Sequence, residues 1–285
     1  MRIIDLEQGS PEWLAWRKTV ITATDASCIL GSNPWTTPYK CWQRKLGLIE
    51  EKESNEAMER GKRLEPEARE QFINRYGIGM QPAIVESLKY EFLGASLDGI
   101  SHDRTLLLEI KCGGAKLHDM AKRGEIPDYY KHQMQHQLFV TGAKKCFYYS
   151  YDGSDGICIE VLPDEAFVEQ YLPKAREFWR CVAFNEPPPM QDKDYKDMSD
   201  NPLWNICAAE YKAICKEEEI IKEKKEKSRT ELLELCGDQS CHGGGIKCMK
   251  TLVKGRVDYD AIPELKDLDL DKYRKEAKTV WKICG

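Results

Sequence analysis

The chain has 285 residues, 41% of them hydrophobic and 32% charged, which is the balance of a globular protein rather than a disordered one. Lys and Arg number 43 against 48 Asp and Glu, so the net charge is −5; any nucleic-acid contact must use a local basic groove rather than the overall field. No apolar run is long enough to span a membrane, the start Met1-Arg-Ile-Ile-Asp-Leu-Glu-Gln lacks a signal-peptide core, and the 12 cysteines are too sparse for a disulfide scaffold, which together place the protein in the cytoplasm with reduced thiols.

In chain order, Ser10 caps and Pro11 opens a helix through Trp13 and Trp16. A second helix is expected over 24–30 and a third over 58–76, kinked at Pro66. Strands follow over 91–100 and 104–112, joined by a turn at Ser101-His-Asp-Arg104. Residues 129–140 read as helix, 145–151 and 157–162 as a strand pair, and 164–183 as a long helix. Tyr148, Tyr149, Tyr151 and Phe147 fit core on one face of their strand. The cluster Asn185-Glu-Pro-Pro-Pro-Met190 cannot continue a helix and reads as a stiff linker. Beyond it, 201–236 is helical with a highly charged middle, either an arm in water or half of a helical hairpin. Gly243-Gly-Gly245 breaks the chain, 246–257 reads as a hairpin turning near Lys254-Gly255, and 268–283 as loop then helix. Two regions are therefore expected, 1–185 and 186–285. The fold class is α/β, a central mixed sheet flanked by helices, with a mainly helical C-terminal extension.

The chemistry sits in Leu97-Asp-Gly-Ile and Leu106-Leu-Leu-Glu-Ile-Lys-Cys112. Strand alternation puts Glu109 and Lys111 on one face of an apolar strand, where charges are costly without partners. A turn centred between Asp103 and Arg104 sets Asp98 opposite Glu109, where two carboxylates repel across roughly 5 Å. A divalent cation turns that repulsion into ligation, and oxygen-only donors select Mg²⁺, with Mn²⁺ able to substitute. The carbonyl of Ile110 is a further candidate ligand. Such a site suits phosphodiester hydrolysis, with Lys111 orienting water or steadying negative charge. Spacing alone leaves this reading level with an ordinary charged surface hairpin.

Asp98 with Glu109-Ile-Lys111 resembles the PD-(D/E)XK nuclease motif, and four further blocks resemble the lambda-exonuclease type, the YqaJ-like viral recombinases. These are Trp13-Leu-Ala-Trp-Arg17 with Val20-Ile-Thr-Ala-Thr24, Gly61-Lys-Arg-Leu-Glu-Pro-Glu-Ala-Arg69, Gly94-Ala-Ser-Leu-Asp-Gly99 and the glutamine-bearing 130–141. Leu97 stands where proline is common in that family, and Thr24 where serine is usual. The resemblance implies that Asp98 and Glu109 hold the metal, Lys111 assists the nucleophilic water, and Glu65 and Gln133 complete the catalytic group. It implies that Arg17 and Thr24 contact a DNA 5′-phosphate. It also implies a magnesium-dependent exonuclease of phage or prophage origin, acting 5′ to 3′ on double-stranded DNA ends. Its partners would be a single-strand annealing protein and further copies of itself, in a homo-oligomer such as a trimer. An endonuclease or nickase on the same scaffold, or an inactive DNA-binding accessory protein, are the alternatives. The C-terminal region is open among oligomerisation, partner contact and packing on the nuclease.

Other residues carry plainer expectations. Trp13, Trp16, Trp35 and Trp42 read as packing residues, with the loop at Asn33-Pro-Trp able to border a DNA end. His132 and His136 share a helix face without a third ligand, which disfavours a metal role. Cys236, Cys241, His242 and Cys248 bring to mind the iron–sulfur nucleases of this fold, with Cys28 or Cys41 as the upstream ligand. They lack the close Cys-x-x-Cys pair of such clusters, so ordinary buried thiols are expected.

Overall fold

In the computed structural model the described residues are 1–49 and 55–252, with Gly255 and Ile262. The elements in chain order are β1 Arg2–Ile4, α1 Pro11–Thr19, α2 Ala23–Ile29, α3 Pro38–Lys45, α4 Glu56–Tyr76, β2 Met80–Glu86, β3 Gly94–Ser101 and β4 Leu106–Lys111. Then come α5 Ala115–Lys122, α6 Asp128–Thr141, β5 Lys145–Tyr151, β6 Gly156–Val161, α7 Glu165–Ala183, α8 Pro202–Cys236, β7 Cys241–Gly243 and β8 Ile246–Cys248. Strands β1 to β6 form one mixed sheet in sequential order, antiparallel except for the parallel pair β4–β5. That pair needs a crossover, which α5 and α6 supply.

Helices cover both sheet faces. On one, Ala68 and Phe72 of α4 bury against Leu108, Ile110, Phe147, Tyr149 and Tyr151. On the other, α2, α6 and α7 bury Ala26, Met134, Leu138, Phe167 and Tyr171 against Leu97, Ile100, Leu107 and Tyr148. The aromatic run of β5 therefore packs on two faces and not on one, because β5 is an interior strand. Helix α4 runs through Pro66, capped by Asn55 before it and by Gly77 in the left-handed conformation after it.

The turn Ser101–Arg104 closes with the Arg104 N–H donating to the Ser101 carbonyl at 2.8 Å. Gly99 pairs with Leu108 and Ile100 with Leu107, the register expected from the sequence. The other edge of β3 is irregular. Gln81 pairs with Ile100 but Ala83 pairs with Leu97, so Asp98 and Gly99 together oppose Pro82. This is a β-bulge, placed where proline has no N–H to give the ladder. The extra residue explains why Leu97 and Ile100, three apart, enter the same core.

The chain divides into two compact units, Met1–Lys196 and Asp197–Gly285. The division falls after Lys196 rather than at 185 because residues past the proline cluster are tied to the first unit. The Thr37 hydroxyl donates to Asp194 at 2.6 Å and Lys40 donates to the Lys193 carbonyl at 3.2 Å. In the second unit α8 buries no residue, as expected of an arm in water. A hairpin stands ahead of the segment where the sequence reading placed one. Gly244 and Gly245, with φ of 56° and 81°, are themselves the turn between β7 and β8, since two positive φ angles make the tight hairpin turn that suits strand twist. The expected turn residue Lys254 and the expected helix over 268–283 lie outside the described residues.

Candidate active site

The bulge and the end of the β3–β4 ladder create the site. Past Gly99–Leu108 the backbone pairing stops, and the Asp98 carboxylate takes the ladder position, accepting the Ile110 N–H at 2.7 Å. N–H and C=O of one strand residue point to the same side, so the Ile110 carbonyl is aimed at the same gap. Glu109, one residue back, projects to the opposite face and is only 1% exposed. Its carboxylate accepts from Gln133 and Gln137 of α6, each at 2.6 Å, and is ion-paired with Lys111. Lys111 also lies 4.9 Å from the centre of the Tyr130 ring. From α4, Arg69 donates to the Asp98 carbonyl at 2.6 Å and is ion-paired with Glu65 one turn earlier.

The charges speak to one another. Burial, followed by the charges of Glu109 and Glu65, pushes the Asp98 carboxyl well above the usual range. Glu65 is raised by burial and by Glu109, against the pull of Arg69 and Lys111. Burial works against the Lys111 ammonium, but Glu109 and Asp98 outweigh it and hold Lys111 protonated. Three carboxyl groups thus share one region with the cations Lys111 and Arg69, and the upward shifts of Asp98 and Glu65 register their crowding on hard oxygen donors.

That donor set fits Mg²⁺ or Mn²⁺. Among the described residues no group of three or more His, Cys, Asp or Glu side chains is placed to hold a metal ion. A magnesium site needs none: one or two carboxylates suffice, with water and a substrate phosphate completing the octahedron. Asp98, Glu109 and the Ile110 carbonyl would hold the ion.

Arg17 and Thr24 stand together in a second place. Arg17 donates to the Thr24 hydroxyl at 3.1 Å and lies over the Trp13 ring at 4.7 Å. They line a pocket of about 190 Å³ with Lys18, Asn33, Arg44 and Lys45. At its base Asp25 is buried, yet Lys45 at 2.6 Å and Arg17 overcome the burial and hold its carboxyl down at about 2. The buried Arg44 Nε has no hydrogen-bond partner among the described residues. A larger groove of about 940 Å³ between α6, β6 and α7 contains none of the expected site residues.

The remaining expectations divide. Trp16 and Trp42 are buried, and their indole N–H groups donate to Glu86 at 2.7 Å and to the Cys181 carbonyl at 3.0 Å. Trp35 is 64% exposed, so it is not a core residue. His136 is fully buried; its Nε2–H donates to the Gly94 carbonyl at 2.8 Å, so Nδ1 accepts from the Tyr171 hydroxyl at 2.7 Å. Both nitrogens are thus engaged, and His132 pairs with Ser32 at 2.7 Å. The late thiols are not ordinary buried ones: Cys241 is exposed, and Cys236 and Cys248 are half-buried.

Three functional neighbours escape a reading of single positions: Gln137, Arg69 and Tyr130. Gln137 and Arg69 follow Gln133 and Glu65 by four residues, the spacing that puts side chains on one helix face, and that signal was available in the sequence.

Comparison with known proteins bears on the family and the fold. Residues 12–144 match the model of the YqaJ-like viral recombinase domain. The uncharacterized protein YqaJ of Bacillus subtilis (strain 168) is 28% identical over 95% of this chain and 92% of its own length. Two crystal structures of LHK-Exo, an alkaline exonuclease from Laribacter hongkongensis, each align 62% of this chain with 94% of theirs at 26% identity. The one in complex with dAMP has a TM-score of 0.55 and the other 0.54. In sequence, residues 12–144 resemble the YqaJ-like viral recombinase domain, and in fold the chain is similar to an alkaline exonuclease, with a mixed sheet flanked by helices as in a PD-(D/E)XK core.

Proposed function

We propose that the chain is a metal-dependent exonuclease that degrades linear double-stranded DNA from its 5′ ends, leaving 3′ single strands for recombination by annealing. The observation that carries this reading is the convergence of Asp98, Glu109 and Lys111 at the ladder's end, with Gln133 behind them and Glu65 beside them. The likeness to an alkaline exonuclease supports it.

A bound Mg²⁺ or Mn²⁺ supplies Lewis acidity toward a phosphoryl oxygen and acidifies water. Gln133 and Gln137 fix the Glu109 carboxylate in one orientation, so its oxygens are set before substrate arrives. Lys111, held as an ammonium, donates and does not accept. Its role is to orient the attacking water through a lone pair and to steady charge developing on the phosphate. Arg17, Thr24 and the neighbouring cations of their pocket hold the terminal 5′-phosphate, which fixes the register of the end. On this reading the working form is a homo-oligomer, and the product strand passes to an annealing protein.

The test is digestion of linear duplex labelled separately at each terminus, with and without 5′-phosphate and Mg²⁺. Release from 5′-phosphorylated ends that requires Mg²⁺, with covalently closed circles left intact, is the expected result. Cutting of closed circles overturns exonuclease action in favour of a nickase. Binding without hydrolysis overturns the enzyme reading altogether.

A further inference from the structure

The proposed nuclease chemistry leaves unused the exposed aromatic ring of the loop between α2 and α3. Trp35 is 64% exposed, yet the loop that carries it is tied to α2, α3 and α6. The Asn33 carboxamide oxygen accepts the N–H groups of Trp35 and Thr36, each at 2.9 Å, and its NH₂ donates to the Ser27 hydroxyl of α2 at 3.0 Å. The Ser32 hydroxyl is paired with His132 of α6 at 2.7 Å. Thr36 is buried, and its hydroxyl accepts from Arg44 of α3 at 3.2 Å. A large indole is therefore held out in water on a fixed backbone. A ring presented in this way offers much contact area to a ligand at little cost in conformational entropy.

The neighbours of the ring indicate what it takes. Asn33 and Thr36, on either side of it in sequence, line the cationic pocket of Arg17, Thr24 and Arg44. The indole itself meets the Tyr129 ring edge-to-face at 5.1 Å, Tyr129 meets Tyr130 at 4.4 Å, and the Tyr130 ring lies 4.9 Å from the Lys111 ammonium. Trp35 thus links the two places that, on the nuclease reading, hold the phosphates at the two ends of one nucleotide. The part of that nucleotide engaged by neither place is its base. Every base has a π-face, so an aromatic ring can receive any of the four.

We propose that the Trp35 indole, braced by Tyr129, is the platform on which the base of the 5′-terminal nucleotide stacks. Its 5′-phosphate then lies at Arg17 and Thr24, and its 3′-phosphodiester at Asp98, Glu109 and Lys111. This rests on the exonuclease reading and adds where the terminal base goes. A base stacked on a side chain has left the duplex stack, and the platform offsets the cost of that unstacking without regard to sequence.

The test compares the full-length parent, Trp35→Ala and Trp35→Phe on 5′-phosphorylated duplexes that differ only in the terminal nucleotide, complete or abasic. Fluorescence anisotropy in EDTA reads binding without hydrolysis, and end-labelled digestion in Mg²⁺ reads cutting. Trp35→Ala should weaken binding to the complete end by about 5- to 150-fold, the equivalent of about 1–3 kcal/mol for one stacked base. Trp35→Phe should recover most of that loss. On the abasic end, the parent and Trp35→Ala should bind alike. The preference for 5′-phosphate over 5′-hydroxyl should persist in Trp35→Ala, because the phosphate pocket is untouched. Thermal melting by circular dichroism checks that the variants keep the parental fold. A Trp35→Ala variant that binds complete ends as the parent does, or that loses as much on abasic ends as on complete ones, overturns the platform and leaves the nuclease reading in place. A parent that cuts neither substrate overturns the nuclease reading, and the platform with it.

Discussion

Replacing Lys111 by alanine separates catalysis from folding in a way the structure makes quantitative. Lys111 is the cation on a Glu109 carboxylate that is 1% exposed, and its own side chain is 20% exposed. Removing one partner of a buried pair costs about 3–5 kcal/mol because the other charge is stranded. Partial exposure of Lys111, and the Gln133 and Gln137 amides that remain on Glu109, place the cost near the lower figure. For a unit of this size about 3 kcal/mol is a fall in Tm of roughly 6–12 °C. The variant also leaves Glu65, Asp98 and Glu109 with less compensating charge, so Mg²⁺ should recover more Tm in Lys111→Ala than in the parent. Hydrolysis should fall by about 10²–10³-fold, the usual loss when one donor to developing charge is removed. Binding of 5′-phosphorylated duplex, followed by fluorescence anisotropy, should stay within a few-fold. Scanning calorimetry with and without Mg²⁺ and end-labelled digestion read the two effects. Parental turnover in Lys111→Ala, or a Tm insensitive to both the substitution and Mg²⁺, would refute the reasoning.

Three further outcomes follow from the same geometry. Gln137→Leu strands one oxygen of buried Glu109 and should cost about 1–3 kcal/mol in urea unfolding, with reduced turnover; unchanged stability and rate would remove Gln137 from the site. Arg17→Ala should lower the preference for 5′-phosphate over 5′-hydroxyl ends while leaving the Mg²⁺ requirement intact, as measured by competition between the two substrates; an unchanged preference places the end elsewhere. His136 is buried, and desolvation lowers it from 6.5 to about 4. The unfolded chain therefore takes up a proton first as pH falls, and about 3 kcal/mol of stability should drain away between those values. Urea midpoints across that range, flattened in His136→Asn, check the sign; the same slope in the variant would assign the loss to other groups.

What the sequence made legible follows what is local. The turn Ser101–Arg104 sets the register of β3 and β4, so the approach of Asp98 to the Glu109–Lys111 segment could be reasoned from one strand pair. Ser10 announced the start of α1 by its side-chain cap. The bulge could not be read the same way, because it depends on β2 lying beside β3. Pro82, which has no N–H to give a ladder, is the residue that the bulge accommodates. Helix α3 carried a readable signal in Thr37 followed by Pro38, whereas α5 starts at Gly114 with no side-chain cap to mark it. The partition of Tyr148 from Tyr149 onto two faces needed to know that helices cover both sides of β5. The β7–β8 hairpin was not foreseen because the glycines that seemed to break the chain are its turn.

The ion is the centre of the account, and anomalous diffraction from a crystal soaked in Mn²⁺ locates it without reference to activity. The account predicts a peak within ligand distance of the Asp98 carboxylate, the Glu109 carboxylate and the Ile110 carbonyl, absent in Asp98→Asn. A peak held by other residues in an active enzyme, or full Mg²⁺-dependent turnover in Asp98→Asn, would contradict it.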